Sequence, residues 1–168
     1  MNKTDQYTLL IKCMHTAVED SYFIEAVSIE YAIIENRITR LDAHLKLSNI
    51  GNTLSSKTKA TRNAIKERNL FSSEVINQGK RKSINEHIYH NFKELLFPTN
   101  DQENSRIDKF RKKRNSMTHK LADFDETNSV FSAPSDFEEL AHAGMEIALD
   151  LDRKVSTTKR LLKRNNLI

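Results

Sequence analysis

Apolar side chains at Phe23, Val27, Tyr31, Ile34, Ile38, Leu41 and Leu45 recur at intervals of four, four, three, four, three and four residues. This is the spacing of one stripe along an α-helix, and it predicts a helix over 21–47. Tyr22, Ile24, Ala26, Ile29 and Ile33 lie off the stripe. The N-terminal half of this helix is therefore apolar nearly all round and should be covered on two sides, one by the core and the other by a partner subunit.

The same reading gives five further segments. A short amphipathic helix over 5–18 uses Leu9, Leu10, Cys13, Met14 and Ala17. Gly51 and Asn52 interrupt the pattern, and 53–69 reads as a mostly polar helix burying Leu54, Ala60, Ala64 and Ile65. One helical turn is expected over 72–78. A helix over 83–97 turns Ile84, Ile88, Phe92, Leu95 and Leu96 inward and stops at Pro98. Thr99 or Asn100 is expected to cap the next helix, with Glu103 in the capping-box position relative to Asn100, and that helix should run to about Ala122. After a loop over 123–134, Ser135 and Glu138 form a second capping-box pattern opening a last helix through Phe137, Leu140, Gly144, Ile147, Leu151, Val155 and Leu162. No alternating strand pattern and no internal repeat is visible. The prediction is an all-α, up-and-down bundle of about five or six helices in a single domain spanning 1–168.

Composition agrees: three Gly and two Pro among 168 residues leave little to break helices. The N-terminal sequence lacks a signal-peptide pattern, and no run approaches the roughly 20 apolar residues that span a bilayer. The expectation is a cytoplasmic protein with no membrane partner. Cys13 is the only cysteine and permits no internal disulfide.

Charge changes the picture more. Residues 106–120 hold seven Lys/Arg against one Asp, net +6, and 153–164 hold six Lys/Arg and no acid, also +6. With the whole chain at +4, the remaining residues sum to −8. Two basic segments on an otherwise acidic chain point to a localised polyanion site or, alternatively, to two solvated helix faces, a reading that weighs most for the C-terminal segment.

Within the first basic segment, Ile107, Phe110, Arg114, Met117 and Leu121 share one face, spaced three, four, three and four. Arg114 thus fills a slot the pattern reserves for an apolar side chain. A guanidinium there is costly unless it borders a cleft or meets an anion. Arg111, Asn115 and His119 form a second row at intervals of four, which would let Asn115 orient the imidazole or bond a phosphate oxygen. At about 100° per residue, Arg114 and His119 diverge by about 140° around the axis, so one copy of the helix makes a poor pincer.

The stretch Arg114-Asn115-Ser116-Met117-Thr118-His119, near the end of a basic helix, resembles the Arg-x4-6-His motif of the HEPN superfamily of helical ribonucleases. That resemblance implies a HEPN-like bundle in which two protomers pair to bring two motifs into one cleft. It implies an endoribonuclease, acting as a toxin or phage-defence effector, with an antitoxin protein as a possible partner. Arg114 would stabilise charge on the scissile phosphate, His119 would transfer protons and Asn115 would assist. Lys109, Arg111, Lys112, Lys113 and Lys120 would hold the RNA backbone without reading sequence. Members paired with a nucleotidyltransferase antitoxin often carry Tyr two residues beyond the His. Leu121 stands there, which puts regulation by modification of that Tyr in doubt.

Other chemistry is less well supported. His87 and His90, with Glu86 adjacent, lack an evident third ligand, so solvated or capping roles are expected and no metal site is assigned. Cys13 and His15 read as packing and surface rather than a nucleophile and base. Glu25, Glu30 and Glu35 read as solvated or ion-paired, one of them pairing with Arg114 across the bundle. No Gly-rich phosphate loop is present and no cofactor is expected. Two alternatives to the ribonuclease stay open: a non-catalytic HEPN module binding RNA or a nucleotide, and a helical interaction or regulatory protein.

Overall fold

The computed structural model describes residues 3–48, 51–68, 70–71, 76–98, 103–122 and 134–168. Among them are six helices and no strand: α1 (Lys3–Glu19), α2 (Phe23–His44), α3 (Leu54–Glu67), α4 (Gln78–Leu96), α5 (Arg106–Ala122) and α6 (Pro134–Arg164). The fold is all-α, as the periodicities predict. The expected turn over 72–78 falls largely outside the described residues, as do Thr99 and Asn100.

Helix ends follow local capping chemistry more than hydrophobic spacing. Thr53 and Ser56 form a reciprocal capping box at the start of α3. Asn77 accepts the Lys80 amide, so α4 begins at Gln78, five residues before its first inward apolar side chain would suggest. For α5 the cap is Ser105, whose hydroxyl accepts the Asp108 amide at 3.2 Å and donates to the Asp108 carboxylate at 2.9 Å. This Ser-x-x-Asp box starts the helix at Arg106, and Glu103 precedes it. The last helix starts at Pro134, whose fixed φ and missing N–H suit a first helical position. Ser135 is therefore inside its first turn and Glu138 just beyond it, not at a cap and its box position. It ends in a left-handed residue, Asn166, with the Leu167 amide bonding the Leu162 carbonyl at 3.0 Å, a Schellman closure.

The chain divides into two compact units, Met1–Ile34 with Lys109–Leu149, and Glu35–Asp108 with Asp150–Ile168. In the second unit, Ile38, Leu41, Leu45, Leu54, Ile65, Ile88, Phe92, Leu95, Leu151 and Leu162 are buried. Polar links accompany this core. Asp42 on α2 accepts the Thr61 hydroxyl from α3, Arg62 pairs with Asp108, and Lys57 meets Glu35 at 3.0 Å. Burial pushes the Asp42 carboxyl up to about 6, against the opposing pull of Thr61 and Lys57.

In the first unit, Met14, Ala17, Ala26, Val27, Ile33 and Ile34 are buried together with Phe110, Met117, Phe137, Leu140, Ala141, Ile147 and Ala148. The expected cover on both faces of the N-terminal half of α2 is divided. Ala26 and Ile33, off the main stripe, are buried, while Tyr22 is 60% and Ile24 48% exposed. Gly144 on α6 is closely packed. A Cβ built there would strike the Glu30 carboxylate and lie 2.5 Å from the Phe110 ring. Gly144→Ala should lower stability by roughly 1–3 kcal/mol, the scale of overpacking a filled interior, measured as an earlier urea midpoint with helicity retained. An unchanged midpoint would mean that this contact is not tight.

Candidate functional site

The basic helix α5 carries the motif, and its apolar face is packed as its spacing predicts. Ile107, Phe110 and Met117 are buried, and Arg114, which interrupts them, is half-buried. Its guanidinium carbon lies 4.7 Å from the centre of the Tyr31 ring on α2. An aromatic face offers negative potential to a cation and apolar surface to the side-chain stem, so it offsets part of the cost of withdrawing the charge from water. One Nη1 hydrogen of Arg114 also goes to Asn115 Oδ1 at 3.3 Å.

Three expectations about this helix need correction or sharpening. Asn115 interacts with Arg114, its neighbour, and not with His119 one turn on; the imidazole is exposed. None of the three α2 glutamates bonds Arg114: Glu35 meets Lys57, Glu25 is exposed, and neither carboxylate oxygen of Glu30 has a hydrogen-bond partner. Among the proposed backbone contacts, Lys109 and Lys112 are exposed and Arg111 is half-buried, while Lys113 pairs with Glu139 at 3.1 Å. The side chains of Lys120 and Leu121 lie outside the described residues. The structure thus brings Arg114 and Asn115 together, with the Arg114 guanidinium over Tyr31, and no described hydrogen bond joins His119 to either.

Glu30 is the residue sequence reasoning missed. It is fully buried, close to Gly144 and Phe110, and burial pushes its carboxyl up to about 8. The signal was present in the chain. Ala26, Glu30 and Ile33 are spaced four and three, a second stripe beside the main one, so Glu30 stands in a slot flanked by buried apolar residues. It directly precedes Tyr31, and Phe110 is one turn before Arg114. A buried acid is thus the chain neighbour of the aromatic residue that holds the motif's cation.

Elsewhere, His90 is exposed and meets Glu86 at 3.6 Å, and His87 is exposed. Among the described residues no three His, Cys, Asp or Glu side chains are grouped to hold a metal. Cys13 is exposed. In the second unit, a cleft of about 380 Å³ is lined by Arg68, Gln78, Arg81, Lys82, Asn85 and Glu86. Its Arg68 is already engaged, by Glu86 and by the Tyr89 ring at 4.4 Å. No described helix is long and apolar enough to cross a membrane.

The buried acid makes stability depend on pH in a definite direction. Unfolded, the Glu30 carboxyl ionises near 4.5; folded, it keeps its proton to about 8. Unfolding therefore releases a proton throughout that window, and the group's contribution is complete below 4.5 and lost as the pH rises toward 8. Relative to the wild type, Glu30→Gln should gain on the order of a few kcal/mol between pH 5 and pH 8. Urea unfolding at both pH values measures this, and a difference independent of pH would show that the acid is ionised in the folded state. Comparison with protein families, with curated proteins and with solved structures finds no match to this chain.

Proposed function

We propose that the protein is a metal-independent endoribonuclease of HEPN type, a toxin or phage-defence effector working in the cytoplasm, whose cleft is shared by two protomers. The observation that carries this reading is Arg114: a cation held in an apolar row against Tyr31, five residues before an exposed His119 on the same helix. A fixed guanidinium stabilises charge developing on a phosphate, and an exposed imidazole moves protons near neutral pH.

The reaction follows from these two groups and from RNA itself. His119 takes the proton from a ribose 2′-hydroxyl, the 2′ oxygen bonds to the adjacent phosphorus, and the bond from phosphorus to the 5′ oxygen breaks. Arg114 faces the added negative charge on the phosphoryl oxygens. The leaving 5′ oxygen takes a proton from an imidazolium, leaving a 2′,3′-cyclic phosphate and a 5′-hydroxyl. DNA lacks the nucleophile and is spared. Because Arg114 and His119 diverge by about 140° on one helix, Arg114 of one copy and His119 of another supply the pair. Lys109, Arg111, Lys112 and Lys113, with Lys120, hold the backbone, and an antitoxin protein would restrain the activity.

With purified protein, RNA and excess chelator, cleavage giving cyclic-phosphate ends is expected. His119→Ala and Arg114→Ala should each reduce the rate by at least about a hundredfold, the usual scale for losing a proton-transfer or charge-stabilising group. Absence of cleavage, or an unaltered rate in His119→Ala, overturns the reading. The engagement of Asn115 by Arg114 rather than by His119 favours a second reading, a non-catalytic module that binds RNA. In that case RNA is bound but not cut, His119→Ala binds as the wild type does, and Arg111→Ala or Lys113→Ala weakens binding in a salt-dependent way.

A further inference from the structure

The second unit carries a charged face that the motif helix does not use. On α2, Arg37, Arg40 and His44 are spaced three and four; on α6, Asp152, Lys159 and Lys163 are spaced seven and four. Each set is one helical row. Arg37 and Asp152 meet at 3.3 Å, tying the two rows at one end. From that tie, His44 and Lys159 each lie seven residues on, about 10 Å along their helices. Equal offsets from the tie put His44 and Lys159 level with each other where the two rows run side by side. The environment of His44 agrees: its imidazole is made harder to protonate by burial first, then by the charges of Lys159, Arg40, Arg37 and Lys163.

The acids of these two helical segments are all occupied. Glu35 meets Lys57, Asp42 takes the Thr61 hydroxyl, Asp150 takes Arg153 and Lys154, and Asp152 takes Arg37. Arg40, Lys159 and Lys163 are exposed, with no ion pair to a described acid. Like charges gathered in this way repel one another and hold a layer of counterions, which a polyanion displaces on binding.

We propose that Arg40, Lys159 and Lys163 form a second RNA-binding face, gripping the phosphate backbone of the substrate with residues that do not belong to the motif helix. The choice of RNA rests on the ribonuclease reading, but the grip itself needs no cleavage. A row of point charges without a base-sized recess suits backbone contact without sequence readout.

The test uses the full chain carrying His119→Ala, to prevent turnover, and a single-stranded RNA of mixed sequence, with Kd followed across a salt series. Arg40→Glu, Lys159→Glu and Lys163→Glu together should weaken binding by more than about tenfold near 0.1 M salt. If each of the three meets one phosphate, the slope of log affinity on log salt should fall by about 2. A control with the same net charge, Lys12→Glu, Lys59→Glu and Lys66→Glu, alters exposed lysines elsewhere and should leave the slope near its starting value. As a spectroscopic readout, RNA should make His44 easier to protonate in the His119→Ala background, seen in its ring resonances, and should not do so in the triple variant. Equal loss in the control and the triple variant, or a His44 titration indifferent to RNA, overturns the proposal. Tighter binding to single-stranded DNA of the same sequence would also overturn it as an RNA face. If the wild type binds RNA through this face but cuts nothing, the ribonuclease reading fails and the face stands.

Discussion

A guanidinium cannot be placed in an apolar row without something to hold it, and the arrangement around the motif follows from how that constraint is met at Arg114. The helix needs Ile107, Phe110 and Met117 buried, so the face that carries them must pack, and Arg114 is carried inward with it. Tyr31 receives the cation on its ring and Asn115 takes one of its hydrogens. Beside Tyr31 stands Glu30, fully buried and pushed toward its neutral form. The acid has no hydrogen bond to Arg114, whose guanidinium rests on the aromatic face. Gly144 supplies the room that the acid occupies.

Much of this was legible in the chain. The seven-residue stripe of α2 and the interrupted stripe of α5 located the helices that carry the site, because burial imposes a period near 3.6 that few other constraints imitate. Arg114 could be singled out because it broke that period. Helix boundaries were less legible: Asn77, Ser105 and Pro134 each set a start by local hydrogen bonding or backbone preference, which apolar spacing does not register. Glu30 was misread for a related reason. A glutamate is almost always a surface residue, and only its place in a second row between Ala26 and Ile33 indicated otherwise. The relation of Asn115 to Arg114 rather than His119 is a matter of rotamer, which spacing along a helix leaves open.

The charge distribution has the same logic at a coarser scale. The two basic segments of the sequence belong to α5 and to the end of α6, and on α6 the cations gain neighbours from α2 that are far away in the chain. Acids along those stretches are consumed by specific partners, so the surplus is positive and local rather than spread. Such a pattern favours a ligand with many regularly spaced negative charges over a small anion.

The central claim is that one active cleft needs two copies of the chain, because Arg114 and His119 point in different directions on a single helix. Subunit complementation tests it most directly. Arg114→Ala and His119→Ala proteins, each inactive alone, are mixed, allowed to exchange subunits, and assayed for RNA cleavage. Recovery of cleavage that neither variant supports is the predicted result, since a mixed dimer retains one intact Arg114 and one intact His119 on opposite protomers. A mixture as inactive as its components, with exchange verified, would contradict the account.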